Sequence, residues 1–425
     1  MKALPILIGA FCLTLAACGG GGGGGGGDGG GSSTPTPTTP LMTMEPEPEP
    51  EPKPEPEPNP PIEALKTLLE TQGQPSTQEK AESALSDFIN DNIKYSIALS
   101  TSLTTSNQST VPVLLATYNA TDDTNAEMAW AKGWTGKGVK IGVLDEFEPF
   151  QSGPTHGELT LLMVHQVAPE AMSMTRNIPL TRTARRALPS GTDIDEAQNT
   201  AITDAYQNFA EDGYHIVNNS FSTSRYDRRA SALTPLNEWQ DLIDEQIKKD
   251  FFTKLSTSSE AESYPDEMLF VFSAGNDGER CTPGTISDGT ISECNLNAAA
   301  IHQLRADGNA DVGDRVIFVG SVVENDLIEN YSHRAGDMGS DLIVARDNVG
   351  LHNREVQGTS FSAPRVAGAA ALVRQKFPSL NGPNLKQVLL RTADDLGDDG
   401  VDPIYGYGKL NVLSALSPVD RLEAQ

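Results

Sequence analysis

From Trp130 onward, short apolar runs alternate with longer amphipathic stretches. The apolar runs have the length of buried strands, at 139–144, 215–217, 268–272 and 316–319. The longer stretches carry apolar residues at helical spacing, at about 192–211, 361–377 and 383–393, and Thr192 or Asp193 is a suitable N-cap for the first. The alternation predicts an α/β fold with a mainly parallel central sheet and helices on both faces. Functional groups are then expected beyond the carboxyl ends of the strands.

The first residues have the pattern of an export signal. Met1-Lys2 gives a positive start, and the apolar run 3–17 is too short to span a bilayer. Leu15-Ala16-Ala17-Cys18 resembles the lipobox of bacterial lipoproteins, which implies cleavage before Cys18 and lipidation of that residue. The alternative is an ordinary signal peptide that contains this cysteine. Since Gly19 rather than Asp follows, the same resemblance implies the outer membrane or cell surface, with the periplasm as the other location.

Residues 19–61 have the composition of a disordered Gly- and Pro-rich tether. Residues 19–31 hold 12 of the 39 glycines, and 35–61 hold 12 of the 28 prolines, including the Glu-Pro repeat of 45–58. Neither stretch can bury enough apolar surface to offset its ordering entropy, so a flexible coil and a stiff polyproline II arm are expected.

Three further segments complete the predicted organisation of the chain. Residues 62–118 form an N-terminal extension that could be a propeptide, a spacer or part of the domain, and the sequence leaves these alternatives open. The folded domain is expected over 119–418, followed by a tail at 419–425.

The charge balance excludes one class of partner. The chain has 31 Lys and Arg against 58 Asp and Glu, which gives a net charge of −27. Because phosphate binding needs clustered basic residues, nucleic acid is not expected as a partner.

Cysteine usage agrees with export. If Cys12 leaves with the signal peptide and Cys18 carries lipid, the mature domain keeps Cys281 and Cys294. In an oxidising compartment we expect these two to form a disulfide. Two thiols without a nearby pair of histidines make a poor metal site, and no metal site is predicted.

Four polar motifs lie where the predicted strands end or the predicted helices begin. Asp145 follows the first strand, His156-Gly157 opens a helical segment, and Ser273-Ala274-Gly275-Asn276-Asp277-Gly278 follows a later strand. The segment 358–364, Gly-Thr-Ser-Phe-Ser-Ala-Pro, puts a small hydroxyl residue at the start of a long Ala/Val helix. The N–H groups and dipole of a helix N-terminus favour the negative charge of an oxyanion.

Taken in this order, the motifs resemble those of the subtilisin-like serine proteases, the subtilases. The resemblance covers some 280 residues, from about 133 to 411, and its serine motif is highly specific. The segments 216–221 and 268–276, and a lipobox followed by glycines, are similar to the protease domain of lipidated bacterial autotransporter subtilases. The resemblance implies a subtilisin-like fold and serine endopeptidase activity.

The resemblance also implies a role for individual residues. Ser360 is the expected nucleophile and His156 the general base, while Asp145 orients the imidazole and stabilises its charged form. Asn276 and the main-chain N–H of Ser360 are expected to hold the oxyanion.

Substrate contacts are implied in the same way. An extended protein or peptide substrate is expected to lie beside Ser220, Phe221 and Ser222. Its specificity side chain is expected to enter a pocket flanked by Ser273, Ala274 and Gly275. No cofactor is expected to be required for catalysis, structural calcium is left open, and a monomer is expected.

Departures from the family pattern keep other functions open. Glu146 and Glu158 each stand where the family usually has Thr, Arg365 stands where His usually follows the Pro, and ten residues separate Asp145 from His156. These departures favour, as an alternative, an inactive subtilase-fold binding module. A second alternative is a surface lipoprotein whose Glu-Pro arm makes the functional contacts.

Overall fold

A computed structural model describes residues 124–130, 132–147, 155–179, 189–227, 230–255, 264–281, 294–347 and 357–418. The predicted signal peptide with Cys18, the tether 19–61, the extension 62–118 and the tail 419–425 lie outside these residues. In the part of the chain that is described, no helix is both long and apolar enough to cross a membrane.

A six-stranded parallel sheet forms the centre of the described residues, with strand order β2-β1-β3-β6-β7-β8. Its strands are β1 Lys140–Asp145, β2 Met172–Asn177, β3 Ile216–Asn219, β6 Leu269–Ser273, β7 Val316–Val322 and β8 Leu342–Arg346. A separate antiparallel pair consists of β4 Tyr226–Asp227 and β5 Ala232–Leu233.

Helices connect these strands. In chain order they are α1 Ala126–Trp130, α2 His156–Val167, α3 Ile194–Glu211, α4 Leu236–Gln246, α5 Asp250–Leu255, α6 Leu296–Ala306, α7 Thr359–Lys376, α8 Gly382–Arg391 and α9 Val412–Leu416. Short 3₁₀ turns occupy Ala310–Gly313 and Gly336–Asp341.

Both faces of the sheet are buried, and successive strand residues alternate between two hydrophobic cores. One core, which includes residues of α2, α7 and α8, receives Ile141, Val143, Ile216, Leu269, Val271, Ile317 and Val319. The other, which includes residues of α3, α4 and α6, receives Leu144, Val217, Phe270, Phe272, Val316 and Phe318. This period-2 alternation explains the continuous apolar runs, because a strand covered on both faces has no polar side. The predicted mainly parallel sheet with helices on both faces is therefore confirmed.

The elements read from the sequence match β1, β3, β6 and β7, and helices α3, α7 and α8, to within a few residues. Asp193 is the N-cap of α3, since its carboxylate accepts hydrogen bonds from the N–H groups of Asp195 and Glu196. The edge strand β2 was not predicted: its sequence, Met-Ser-Met-Thr-Arg-Asn, is mostly half-exposed and has no apolar run.

The strand order changes direction beside β1. The chain passes from β1 to β2 on one side and then returns to β3 on the other. Such a switch point opens a crevice at the carboxyl ends of the neighbouring strands, and in open α/β sheets ligands bind there. Asp145 ends β1 and Ser220 directly follows β3, so both lie at this crevice.

A buried arginine, Arg315, joins two segments of the chain through hydrogen bonds. Arg315, fully buried before β7, donates hydrogen bonds to the carbonyls of Tyr264 (2.7 Å), Pro265 (2.9 Å), Lys254 (3.2 Å) and Leu255 (2.5 Å). The planar guanidinium can serve several acceptors at once, which an ammonium group could not do in the same geometry.

We predict that Arg315→Met lowers the free energy of unfolding by about 3–5 kcal/mol, because buried carbonyls would lose a charged donor. Chemical denaturation followed by circular dichroism measures the change. The matched control is Lys137→Met, which also removes one cation but one that is exposed and 3.8 Å from Glu170. It should change stability by no more than about 0.5 kcal/mol. Equal stability of the two variants would contradict the role assigned to Arg315.

Candidate active site

Asp145 and His156 are in direct contact at the end of β1. The Asp145 side chain is fully buried, and its Oδ1 lies 2.7 Å from His156 Nδ1 and accepts from the main-chain N–H of Glu146 at 2.7 Å. Its Oδ2 accepts from the Thr160 hydroxyl at 3.1 Å. A carboxylate acceptor at Nδ1 places a ring proton there, which leaves Nε2 as the basic nitrogen of the neutral imidazole.

Helix α2 begins at His156 because the residues around it form an N-terminal cap. Thr155 is the N-cap: its hydroxyl accepts from the N–H of Glu158, and the Glu158 carboxylate accepts from the N–H of Thr155. This reciprocal pair is a capping box, so Glu158, a departure from the family pattern, has a structural role in orienting the helix.

Helix α2 approaches β1 closely at Gly157. The N–H of Gly157 donates to the carbonyl of Glu146 at 3.0 Å. A Cβ atom at this position would lie 2.8 Å from the same carbonyl oxygen and 2.8 Å from the ring of Phe147. A residue without a side chain is therefore needed beside His156 for the ring to reach Asp145.

The environment of His156 favours its protonated form. Partial burial lowers the pKa of His156, but the charge and hydrogen bond of Asp145, with a further contribution from the charge of Glu146, outweigh this effect and raise the pKa above 6.5. The side chain is 38% exposed, so solvent screens part of this attraction. Its ring also packs against Phe361, with 5.3 Å between ring centroids.

Ser360 lies in the first turn of α7 and is 8% exposed. Its hydroxyl donates a hydrogen bond to the main-chain carbonyl of Ser220 at 3.0 Å. The structure thus brings Ser360 to the end of β3, and the next residue, Phe361, packs against the His156 ring. In this rotamer the hydroxyl proton is directed to Ser220 and not to the imidazole.

Asn276 is held in a defined orientation beside Ser360. Its Oδ1 accepts from the N–H and the hydroxyl of Thr359, both at 2.9 Å. The amide nitrogen is thereby turned toward Gly358, where a Cβ atom would lie 3.4 Å from Nδ2. The amide donor of Asn276 therefore lies beside the N-terminus of α7.

The substrate-binding residues expected from the sequence differ in how exposed they are. Ser220 is buried, Phe221 is partly buried against the second core, and Ser222 is exposed. Ser273, Ala274 and Gly275 are buried, so these three present little side-chain surface to a ligand.

Asn295 holds Ser273 and Ala274 in place, although it belongs to none of the sequence motifs described above. Its Nδ2 donates to the carbonyls of Ala274 (2.9 Å) and Ser273 (3.3 Å). Its Oδ1 caps α6 by accepting from the N–H groups of Asn297 and Ala298. An Asn directly before the apolar stretch 296–301 is an N-cap signal that could have indicated this position.

The disulfide lies next to Asn295 in the sequence. Cys281 and Cys294 are bonded with 5.7 Å between their Cα atoms, as the sequence analysis predicts. The bond links the segment that follows Asn276 to the residue that precedes Asn295. It therefore ties together the two chain segments that border the candidate specificity pocket.

The other histidine of α2, His165, is buried in the packing of the helix. Burial lowers the pKa of His165 to about 4, and its Nε2 lies 3.0 Å from the Ser173 hydroxyl. It is therefore neutral at physiological pH and directed away from the site. Among the described residues, no group of three or more His, Cys, Asp or Glu side chains is placed to hold a metal ion.

Comparison with known proteins identifies relatives of this chain. It is 30% identical over 243 residues to the neisserial autotransporter lipoprotein NalP of Neisseria meningitidis, covering 52% of this chain and 22% of NalP. It is 25% identical over 303 residues to subtilisin DY of Bacillus licheniformis, covering 68% of this chain and 95% of that protein.

Among solved structures, MycP1 from Mycobacterium smegmatis matches with 19% identity and a TM-score of 0.47, covering 69% of this chain and 82% of that one. The chain spans about a fifth to a third of the length of the first curated relatives it matches.

The family model matches over residues 187–408, just over half of the 425-residue chain. This range includes Asn276 and Ser360, whereas Asp145 and His156 precede it. With a parallel sheet and this arrangement of polar groups already established, the match shows that the chain belongs to the subtilase family.

Proposed function

We propose that this protein is a serine endopeptidase in which Asp145, His156 and Ser360 act as a catalytic triad. The observation that carries the proposal is the 2.7 Å contact between a buried Asp145 carboxylate and His156 Nδ1, at the crevice that the Ser360 helix also enters. A buried carboxylate fixes the imidazole tautomer and stabilises the imidazolium that forms during catalysis.

In the proposed reaction, Ser360 Oγ attacks the scissile carbonyl carbon while His156 Nε2 takes the hydroxyl proton. The new C–O bond converts the carbonyl oxygen into an oxyanion, which accepts hydrogen bonds from Asn276 Nδ2 and the Ser360 main-chain N–H. Collapse of this intermediate breaks the C–N bond, and His156 gives the proton to the leaving amine. Water then hydrolyses the acyl-enzyme by the same steps in reverse order.

Substrate binding has to redirect the nucleophile in this mechanism. Ser360 Oγ donates to the Ser220 carbonyl, and the attack requires that it donate to His156 instead. We propose that an extended substrate segment beside Ser220, Phe221 and Ser222 accompanies this rotation. Ser222 and Thr223 follow the end of β3 and are exposed, and the main chain of Ser222 offers hydrogen-bonding groups for such a segment.

The same hydroxyl orientation favours a second candidate function, a binding module with the subtilase fold and no turnover. Such a protein would bind peptides beside β3 without a reactive serine. The labelling experiment below distinguishes the two functions.

We predict that a fluorophosphonate probe labels the wild-type protein and that Ser360→Ala abolishes both labelling and casein hydrolysis, with a loss of more than about 10⁴-fold in kcat. The matched control is Ser362→Ala, two residues along the same helix, whose hydroxyl instead contacts Ser321 and the Ala345 carbonyl. That variant should still be labelled. Equal labelling of wild type and Ser360→Ala, or no labelling of either, would refute the proposed function.

A second prediction concerns pH. Because His156 must be neutral to act as a base, and its pKa is raised, kcat/KM should increase with pH through a pKa higher than that of an ordinary histidine. Glu146→Gln removes one of the charges that raise this pKa, so the acid limb should move to lower pH. Glu158→Gln is the control, since Gln also completes a capping box and Glu158 is not among the groups that shift His156. An unchanged acid limb in Glu146→Gln would contradict the contribution of that charge.

We also propose that lipid on Cys18 anchors the protein to a bacterial membrane. A lipobox at the end of an apolar signal region supports this proposal, as does the similarity to a lipoprotein of Neisseria meningitidis. Several acyl chains on one residue would give stable anchoring, whereas a single chain would not.

Mass spectrometry of the mature protein should therefore find Cys18 as an acylated N-terminal residue. Cys18→Ala should remove the acyl mass and shift the protein out of the membrane fraction. A mature N-terminus elsewhere, without lipid, would exclude the anchor and leave the endopeptidase proposal intact.

A further inference from the structure

A second buried carboxylate lies at the N-terminus of α7, the helix that carries Ser360. Asp347 directly follows β8 and is 4% exposed. Its Oδ2 accepts a hydrogen bond from the main-chain N–H of Gly358 at 2.7 Å and another from the hydroxyl of Tyr331. Neither the family motifs nor the mechanism above uses this residue.

The position of Gly358 determines the geometry of the oxyanion site. Gly358 is the N-cap of α7, two residues before Ser360, and its carbonyl accepts from the N–H of Phe361 at 2.8 Å. Its backbone has φ 148°, a region that residues with a side chain rarely adopt. Its Cα also faces Asn276 Nδ2. A displacement of Gly358 would thus move the N-terminus of α7 relative to the amide of Asn276.

Hydrogen bonds and a nearby positive charge partly offset the free-energy cost of burying the Asp347 carboxylate. Burial is the larger effect and raises the pKa of Asp347 above its ordinary value, although the hydrogen bonds from Tyr331 and Gly358 and the positive charge of Arg365 partly lower it. Arg365 is buried in α7 and stands where subtilases usually have His. A buried charged group can lower stability and still fix a particular geometry through its hydrogen bonds.

We propose that Asp347 is a positioning residue that holds the main chain of Gly358, so that the Ser360 N–H and the Asn276 amide converge on the oxyanion. The inference rests on the proposed endopeptidase function. In this proposal Asp347 acts through Gly358 and does not itself contact the substrate. Tyr331 supports the same carboxylate by donating to the oxygen that binds Gly358.

The chain provides a matched control at the other end of the same strand. Asp341 directly precedes β8 and is equally buried, but it pairs with Arg305 and Lys386 far along the strand from the site. Both aspartates therefore support the fold through buried hydrogen bonds, and only Asp347 does so at the nucleophile. Substituting each with Asn separates loss of stability from loss of catalysis.

The test uses the full chain and compares Asp347→Asn, Asp347→Ala, Tyr331→Phe and Asp341→Asn with wild type, each normalised to folded protein by circular dichroism. For Asp347→Ala we expect kcat to fall about 100-fold, the loss that a displacement near 1 Å can cause, with KM within about twofold. Asp347→Asn and Tyr331→Phe should show smaller losses in the same direction, because each keeps an acceptor for Gly358.

A peptide boronate, which forms a tetrahedral adduct with serine, supplies the readout that a purely structural role would not change. Its inhibition constant should rise in the Asp347 variants by the same factor as kcat falls, whereas in Asp341→Asn both quantities should stay near wild type.

The inference is overturned if the Asp347 variants keep the kcat and boronate affinity of wild type, or if Asp341→Asn loses both to the same extent. If Asp347→Ala does not fold, Asp347→Asn and Tyr331→Phe decide by the same criteria. Failure of the wild-type protein to hydrolyse casein would instead refute the proposed function itself, and this inference with it.

Discussion

Burial of both faces of the central sheet is the constraint on which the rest of this structure depends. Strand residues alternate between two apolar cores, so a polar side chain within a strand would face hydrocarbon on either side. In β1, β3, β6, β7 and β8, polar side chains accordingly lie at or next to the strand ends, mostly the carboxyl end. Asp145 ends β1, Ser220 and Asp347 directly follow β3 and β8, and the start of α7 contacts the last two through Ser360 and Gly358. The crevice is thus a consequence of how the sheet is covered.

The two carboxylates at this edge, Asp145 and Asp347, are buried, and each accepts hydrogen bonds. Asp145 accepts from His156, Glu146 and Thr160, while Asp347 accepts from Gly358 and Tyr331. Unpaired buried carboxylates would each cost several kcal/mol. Pairing also restricts motion, since a group with two or three partners has one permitted orientation. The same hydrogen bonds that make burial tolerable therefore preorganise the groups proposed to react.

The central strands and the position of Ser360 could be predicted from the sequence, for two reasons. Strands covered on both faces appear as apolar runs, and the motif around Ser360 is specific in itself. What could not be predicted depends on contacts between distant segments. Asn295 reaches Ser273 and Ala274 across 21–22 positions, and nothing in the local sequence of Asp347 indicates that it binds Gly358. The orientation of the Ser360 hydroxyl is likewise set by the Ser220 carbonyl, 140 residues away.

The hydrogen bonds of Arg315 have a consequence for how this chain can vary in evolution. One guanidinium binds the carbonyls of Lys254 and Leu255 before residues 256–263 and those of Tyr264 and Pro265 after them. The two ends of that stretch are therefore held together independently of the residues between them. Insertions, deletions or a grafted peptide can be accommodated there without changing where β6 begins. Length variation among natural homologues should accordingly concentrate at this point, which precedes the amino-terminal end of β6 rather than the carboxyl ends where the site lies.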